Sequence, residues 1–262
     1  MLIPHPRPLR PARFIARYDR FIARVELDGG EVDAHCVNPG RMEGLVVPGA
    51  RAWVSTVPAE SKRKLRYTLE LLEIEGSLVG VNTQLPNLLA ETLIRSAQIP
   101  GMKRFDRLER EVRYGVNSRV DILLHDARGR HYVEVKNCHL VYPDGGAYFP
   151  DSVSTRAAGH LEELIRCVED GDRASVLHTV QRGDGRFLRP SDLHDPVYAA
   201  TARRAARAGV RFHAVCLQPG IDGFTFLGTL PVRLRPYRLE PLRPYREALA
   251  ARSGWQRRGG KT

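Results

Sequence analysis

The chain has little that would suit a membrane, an export route or a disulfide framework. Its 262 residues hold only four cysteines, Cys36, Cys138, Cys167 and Cys216, widely scattered and without a C-x-x-C pair. That spacing argues against a zinc site and leaves free buried thiols in a cytoplasmic protein as the expectation. No run of about 18 apolar residues occurs, so no membrane partner is expected. The opening MLIPHPRPLRPARF carries too many prolines and arginines for a secretory leader and lacks its apolar stretch. There is no phosphate-cradling glycine loop, no nucleophile elbow and no internal repeat. A Ser-His-Asp hydrolase would have to be assembled from unrelated parts.

What the chain does have is positive charge, unevenly spread. The formal net charge is +11. Residues 1–82 carry 12 Lys and Arg against 10 Asp and Glu, and residues 83–232 carry 20 against 18. Residues 233–262 carry 9 against 2, so most of the excess lies in the last thirty. Near the start, Arg7, Arg10, Arg13, Arg17, Arg20 and Arg24 face only Asp19. A nearly balanced body with basic ends suits a polyanionic partner, because phosphate contacts release counterions. The plainer reading is a solubilising tail, with the last ten residues disordered.

The segment most informative for chemistry is Val120-Asp121-Ile122-Leu123-Leu124, a short turn, then Tyr132-Val133-Glu134-Val135-Lys136-Asn137. It reads as a β-hairpin. Strand side chains alternate, so Glu134 and Lys136 share one face while Val133 and Val135 take the other. Asp121 falls roughly across from Glu134. Two carboxylates and an ammonium aimed at one spot suit a divalent cation, Mg²⁺ or Mn²⁺, in phosphodiester chemistry. The alternative is the wet face of an amphipathic sheet. The following helix and apolar strand argue against it, since charges on a covered sheet face are costly.

Elsewhere, residues 12–82 read as about five strands: Phe14–Leu27, Glu31–Val37, Ala50–Val57, Tyr67–Ile74 and Leu78–Asn82, with Asp28-Gly29-Gly30 as a hairpin turn. Five short strands over so short a stretch fit an OB-like β-barrel. Between two of them lies Lys62-Arg63-Lys64-Leu65-Arg66, a candidate grip on a phosphate backbone. Asn87–Gln98 reads as a helix containing Glu91, and Leu108–Tyr114 as a strand. Thr155–Val168 reads as a helix in which Arg156 and His160 share a face as candidate phosphate contacts. Strands Ala174–Val180 and Val210–Leu217 bracket a basic helix opened by Pro196. The loop 137–152, with Tyr142, Tyr148 and Phe149, could order against a substrate.

The order of helix acid, strand, Asp strand, E-x-K strand, helix and strand resembles the PD-(D/E)XK nuclease superfamily. More specifically, five segments resemble the sugar fermentation stimulation protein (SfsA) family over about residues 12–230. They are Asn38–Gly44, Asn117–Asp121, Tyr132–Asn137, Phe149–Asp151 and Val180–Arg182. Two departures stand out. Pro39 replaces the threonine of the usual N-T-G-R-M, and Ala157 and Gly159 replace the glycine and lysine of T-x-R-G-x-K-H-L.

The resemblance implies an α/β (α+β) protein of two domains. An N-terminal five-stranded OB-like barrel would span 1–82. A C-terminal mixed sheet flanked by helices, of the PD-(D/E)XK nuclease type, would span 83–235, and a basic tail 236–262. It implies DNA binding with little sequence preference. Asp121 and Glu134 would hold the cation, with Glu91 as a third acid through water. Lys136 would position the attacking water, and Gln181 would support the site from the next strand. Arg41, Lys62, Arg63, Lys64, Arg66, Arg119, Arg156, His160 and Arg182 are the expected nucleic-acid contacts. A binder without turnover, acting on DNA as a regulator, is the alternative. An RNA substrate, either strandedness and a homodimer that cuts two strands all remain open.

Overall fold

The computed structural model describes residues 1–115 and 118–258. Asn117, part of one segment singled out above, lies outside the described residues, as do 259–262 of the tail. The elements in order are β1 (Leu2–Pro4), β2 (Leu9–Tyr18), β3 (Ile22–Leu27), β4 (Gly30–His35), β5 (Arg51–Thr56), β6 (Tyr67–Ile74) and β7 (Ser77–Gly80). Next come α1 (Leu85–Arg95), β8 (Arg107–Tyr114), β9 (Ser118–Asp126), β10 (Gly129–Cys138), β11 (Gly146–Phe149) and α2 (Thr155–Glu169). The chain continues with β12 (Arg173–Val180), β13 (Phe187–Pro190), α3 (Pro196–Ala208), β14 (Arg211–Pro219), β15 (Gly223–Leu230) and α4 (Arg243–Ala250). No helix among the described residues is long and apolar enough to cross a membrane.

Strands β2 to β6 form a closed five-stranded barrel, with β7 added beside β6. Closure is made by the parallel β4–β6 pairing, Ala34 against Tyr67 and His35 against Thr68. Phe14, Val25, Ala34, Val54, Leu69 and Leu72 fill its interior. The expected single strand Phe14–Leu27 is in fact two. Asp19 and Arg20 take φ values of 44° and 65°, which a continuous strand cannot accommodate, and the chain turns back on itself there.

The second half is a seven-stranded mixed sheet in the order β1-β15-β14-β12-β10-β9-β8. Strands β10, β12 and β14 are parallel, and the outer strands are antiparallel. Helices α2 and α3 make the crossovers between the parallel strands and cover one face. Each is capped by an acceptor that suits its first turn: Ser154 accepts from Ala157 N–H and Asp195 from Tyr198 N–H. Helix α1 covers the other face. Its Leu89, Leu93 and Ile94 share a core with Ile122, Val133 and Leu177 of the sheet and with Trp53 and Leu71 of the barrel. The two halves are therefore joined by apolar packing as well as by the chain.

Both ends of the chain cross between the halves. Strand β1 pairs with β15 rather than with the barrel. The tail returns to the barrel: Gly254 N–H donates to Arg41 O, and Gln256 exchanges backbone hydrogen bonds with Arg17 and Asp19. The Trp255 ring lies under the guanidinium groups of Arg17 and Arg20. The expectation of a disordered last ten residues is thus corrected as far as Arg258, because a single tryptophan anchors a segment whose composition is otherwise polar.

The N-terminal arginines also differ from the free basic flank expected. Arg10 pairs with Asp28, and Arg24 with Asp33 and Glu31. Arg17 is 1 % exposed, and its guanidinium donates to the carbonyls of Arg20, Asn38 and Gly40. Antiparallel strands bring acids opposite these arginines that linear spacing hides. All four cysteines are free and buried.

Candidate functional site

Strands β9 and β10 pair antiparallel from Gly129–Asp126 to Val133–Ile122, and there the ladder ends. On the other side, the β8–β9 register passes over Glu111 and Asp121, with Glu111 at a φ of 53°. The strands part at this point, and the Asp121 side chain enters the gap. Its Oδ2 accepts from the Val135 backbone N–H at 2.7 Å, replacing the missing ladder partner. Its Oδ1 accepts from Asn87 Nδ2 on α1 at 2.9 Å.

Glu134 lies beside it and is 2 % exposed. Its Oε1 accepts from Lys136 Nζ at 2.5 Å and from His160 Nδ1. His160 in turn can accept from Arg156 Nε through its Nε2 at 3.3 Å, which fixes the Nδ1–H tautomer. The other oxygen, Glu134 Oε2, is buried and has no hydrogen-bond partner among the described residues.

The electrostatics split the two acids. Burial pushes the Asp121 carboxyl up, and the neighbouring Glu134 charge adds to this, taking it to about 6. Burial alone would raise Glu134 as well. Lys136 and then His160 outweigh it and hold Glu134 below the usual glutamate range. Glu134 is therefore the resident anion at neutral pH, and Asp121 the acid whose charge responds to its surroundings.

These groups line a cleft of about 440 Å³ between the two halves. The barrel contributes Asn38, Pro39 and Gly40 to one wall, and α2 contributes Arg156 and His160 to the other. Asp151 and His139 lie at the barrel side. Asp151 accepts from Met42 N–H, and an added Cβ at Gly40 would come within 2.9 Å of its carboxylate. The barrel loop thus sits directly on the C-terminal half, and only glycine leaves room for that approach. An adjoining hollow of about 610 Å³ shares Asp121, Arg156 and His160 and is bordered by Arg119, Glu111 and Glu163.

The structure therefore brings together Asp121, Glu134, Lys136, Arg156, His160 and Arg119. Others are placed apart. Glu91, expected as a third ligand, pairs with Arg95 at 2.8 Å and Arg110 at 3.6 Å and does not line the cleft. Among the described residues, no three His, Cys, Asp or Glu side chains are gathered as a ligand cage. Gln181 is fully buried and donates to Asn137 Oδ1 at 2.5 Å, while its backbone carbonyl accepts from Gly80 N–H. It joins β7 to the sheet and holds Asn137, which lines the cleft; it does not line the cleft itself.

Arg182 is held by both oxygens of Asp184. Arg41 is exposed beside the loop that borders the cleft. Lys62 and Lys64 are exposed between β5 and β6, whereas Arg63 is tied to Thr68 and His35 and Arg66 to the Ala59 carbonyl. Asn87 was not singled out from sequence. It stands four residues before Glu91 on the same helical face, and that spacing was the available signal.

Comparison with known proteins agrees with the two-part fold. The SfsA N-terminal OB domain matches residues 15–81, and the sugar fermentation stimulation protein RE domain matches residues 84–222. The chain belongs to the SfsA family. A sugar fermentation stimulation protein homolog of Rhizobium meliloti (strain 1021) is 47% identical over 219 residues, covering 82% of this chain and 91% of that one. The homolog of Geotalea uraniireducens (strain Rf4) is 44% identical over 231 residues, covering 87% and 99%. Among solved structures, SfsA of Pyrococcus furiosus in complex with Ca²⁺ is 28% identical with a TM-score of 0.80. That match covers 88% of this chain and 98% of the other.

Proposed function

We propose that this SfsA-family protein binds nucleic acid without sequence preference and hydrolyses its phosphodiester bonds with a divalent cation. The observation that carries the reading is the buried Glu134 Oε2, without a partner among the described residues, beside Asp121 and Lys136 in a cleft whose α2 wall carries Arg156. A buried carboxylate oxygen without a donor is costly, and a hard cation shared with Asp121 would satisfy it. The oxygen donors suit Mg²⁺, Mn²⁺ or Ca²⁺, and the Ca²⁺ complex of the Pyrococcus furiosus relative supports a divalent cation as a ligand of this chain. A bound cation would polarise a phosphoryl oxygen and offset charge on the pentavalent phosphate.

The chain's own groups supply the rest. Lys136, fixed by Glu134, presents its remaining donors to the attacking water and the phosphate. Arg156 and Arg119 hold the backbone on the α2 side. The barrel and the exposed Lys62 and Lys64 extend the contact outward.

The test is incubation with labelled single- and double-stranded DNA and RNA, with Mn²⁺ or with chelator. Cleavage is expected only with the cation, and Lys136→Ala should lower its rate by about 10²-fold or more. Binding in chelator with no cleavage under any condition would instead favour a regulator that holds DNA without turnover.

A further inference from the structure

Part of the tail's positive charge is spent inside the molecule. Arg252 pairs with Glu75, Arg258 with Asp33 and Arg238 with Glu240, so these are neutralised within the molecule. The segment that crosses the small β11–β13 sheet is different. Its backbone is held by Leu188 N–H to Pro231 O and Arg233 N–H to Leu188 O, which brings Arg233 and Arg235 next to Arg189. Among the described residues, Arg186, Arg189, Arg233 and Arg235 have no carboxylate partner. Their neighbours Arg182 and Arg203 are each paired with an aspartate.

Two of these guanidinium groups are fixed in place. Arg233 lies 4.0 Å over the Phe187 ring, and Arg189 lies 4.6 Å over Tyr237 while also donating to Arg235 O. The rings are largely covered, so they are supports for arginine rather than stacking surfaces for a ligand. Holding a guanidinium on an aromatic face removes rotamer entropy before any ligand arrives, which favours bidentate capture of an anion. The hollow beside them measures about 600 Å³ and is bordered by Arg189, Arg233 and Arg235.

We infer that this arginine cradle is a second nucleic-acid subsite that grips the phosphate backbone of the strand entering the cleft. The reading rests on the function proposed above. The small sheet connects the two places: Phe149, at one end of β11, lines the cleft, and the other end of the pair is Gly146 against Phe187. Four strand residues span roughly 10 Å, so one backbone can engage both within a few nucleotides.

The experiment is fluorescence anisotropy on labelled single-stranded and duplex oligonucleotides at several salt concentrations, in chelator. The full chain is compared with Arg233→Gln/Arg235→Gln and with Lys103→Gln/Arg104→Gln, a control of equal charge loss at exposed positions away from either site. The first double variant should bind about tenfold more weakly and have a log–log salt slope shallower by about 1.4 on single strands. The control should keep the parental slope, and all three proteins should bind Mn²⁺ alike, which shows that the cleft is intact. Parental binding with equal slopes for the two double variants would overturn the cradle and leave the proposed function standing. Absence of any nucleic-acid binding by the parent at low salt would overturn both.

Discussion

Asp121→Asn should flatten the pH dependence of stability in the cation-free protein. Burial and the Glu134 charge hold the Asp121 carboxyl at about 6 in the folded state, above its ordinary value of 3.8. A raised carboxyl stabilises the fold below its unfolded pKa, and that contribution is lost as pH rises through the folded value. Between pH 4 and pH 7 the parent should therefore lose about 2 kcal/mol from this group. An asparagine cannot ionise and should lose none. Urea melts across that window measure the effect as the parent-minus-variant difference, which should fall with pH. A constant difference would contradict the buried-acid account. Adding Mn²⁺ at pH 7 should restore the parent's stability and leave the variant unchanged, because ligand binding to the folded state alone is what stabilises. The same proton competes with the cation, so below pH 6 the cation affinity should weaken about tenfold per unit.

Lys136→Met should cost more stability than its position near a cleft suggests. Lys136 and His160 are the partners of a Glu134 carboxylate that is almost fully buried. Removing the ammonium leaves a buried anion with one partner, a loss on the order of 3 kcal/mol. The same change should raise the Glu134 pKa, since the charge of Lys136 is the largest single influence lowering it. Glu134→Gln combined with Lys136→Met should recover much of the loss, because neither charge then remains. Chemical denaturation of the two single variants and the double variant completes the cycle. A strictly additive result would mean that the pair does not interact as the geometry indicates.

The hairpin β9–β10 was legible because alternation is a local property. Glu134 and Lys136 share a face by parity, and Asp121 follows by counting back across the turn. Helix α2 was legible from its apolar stripe and its Ser154 cap, and with it the Arg156–His160 face. What stayed hidden depends on pairing between distant segments. The amphipathic pattern of Phe14–Leu27 runs on through Asp19-Arg20, so nothing local marks the break. The neutralisation of Arg10 and Arg24 depends on which strand lies opposite. Strand β1 finds β15 across most of the chain, and no register between them can be counted from either end. Glu91 had the right residue type on the right helix. Arg110 from β8 captures it, however, and Asn87 one turn earlier meets Asp121 instead. Glu134 Oε2, on which the functional reading rests, became visible only when every donor around it had been placed.

The central claim is most directly tested by titrating Mn²⁺ into the cation-free protein at pH 7.5 by calorimetry. One ion per chain should bind in the parent, and that binding should be lost in both Asp121→Ala and Glu134→Ala while Glu91→Ala retains it. Binding of one ion with parental affinity in either of the first two variants would contradict a cation seated between β9 and β10.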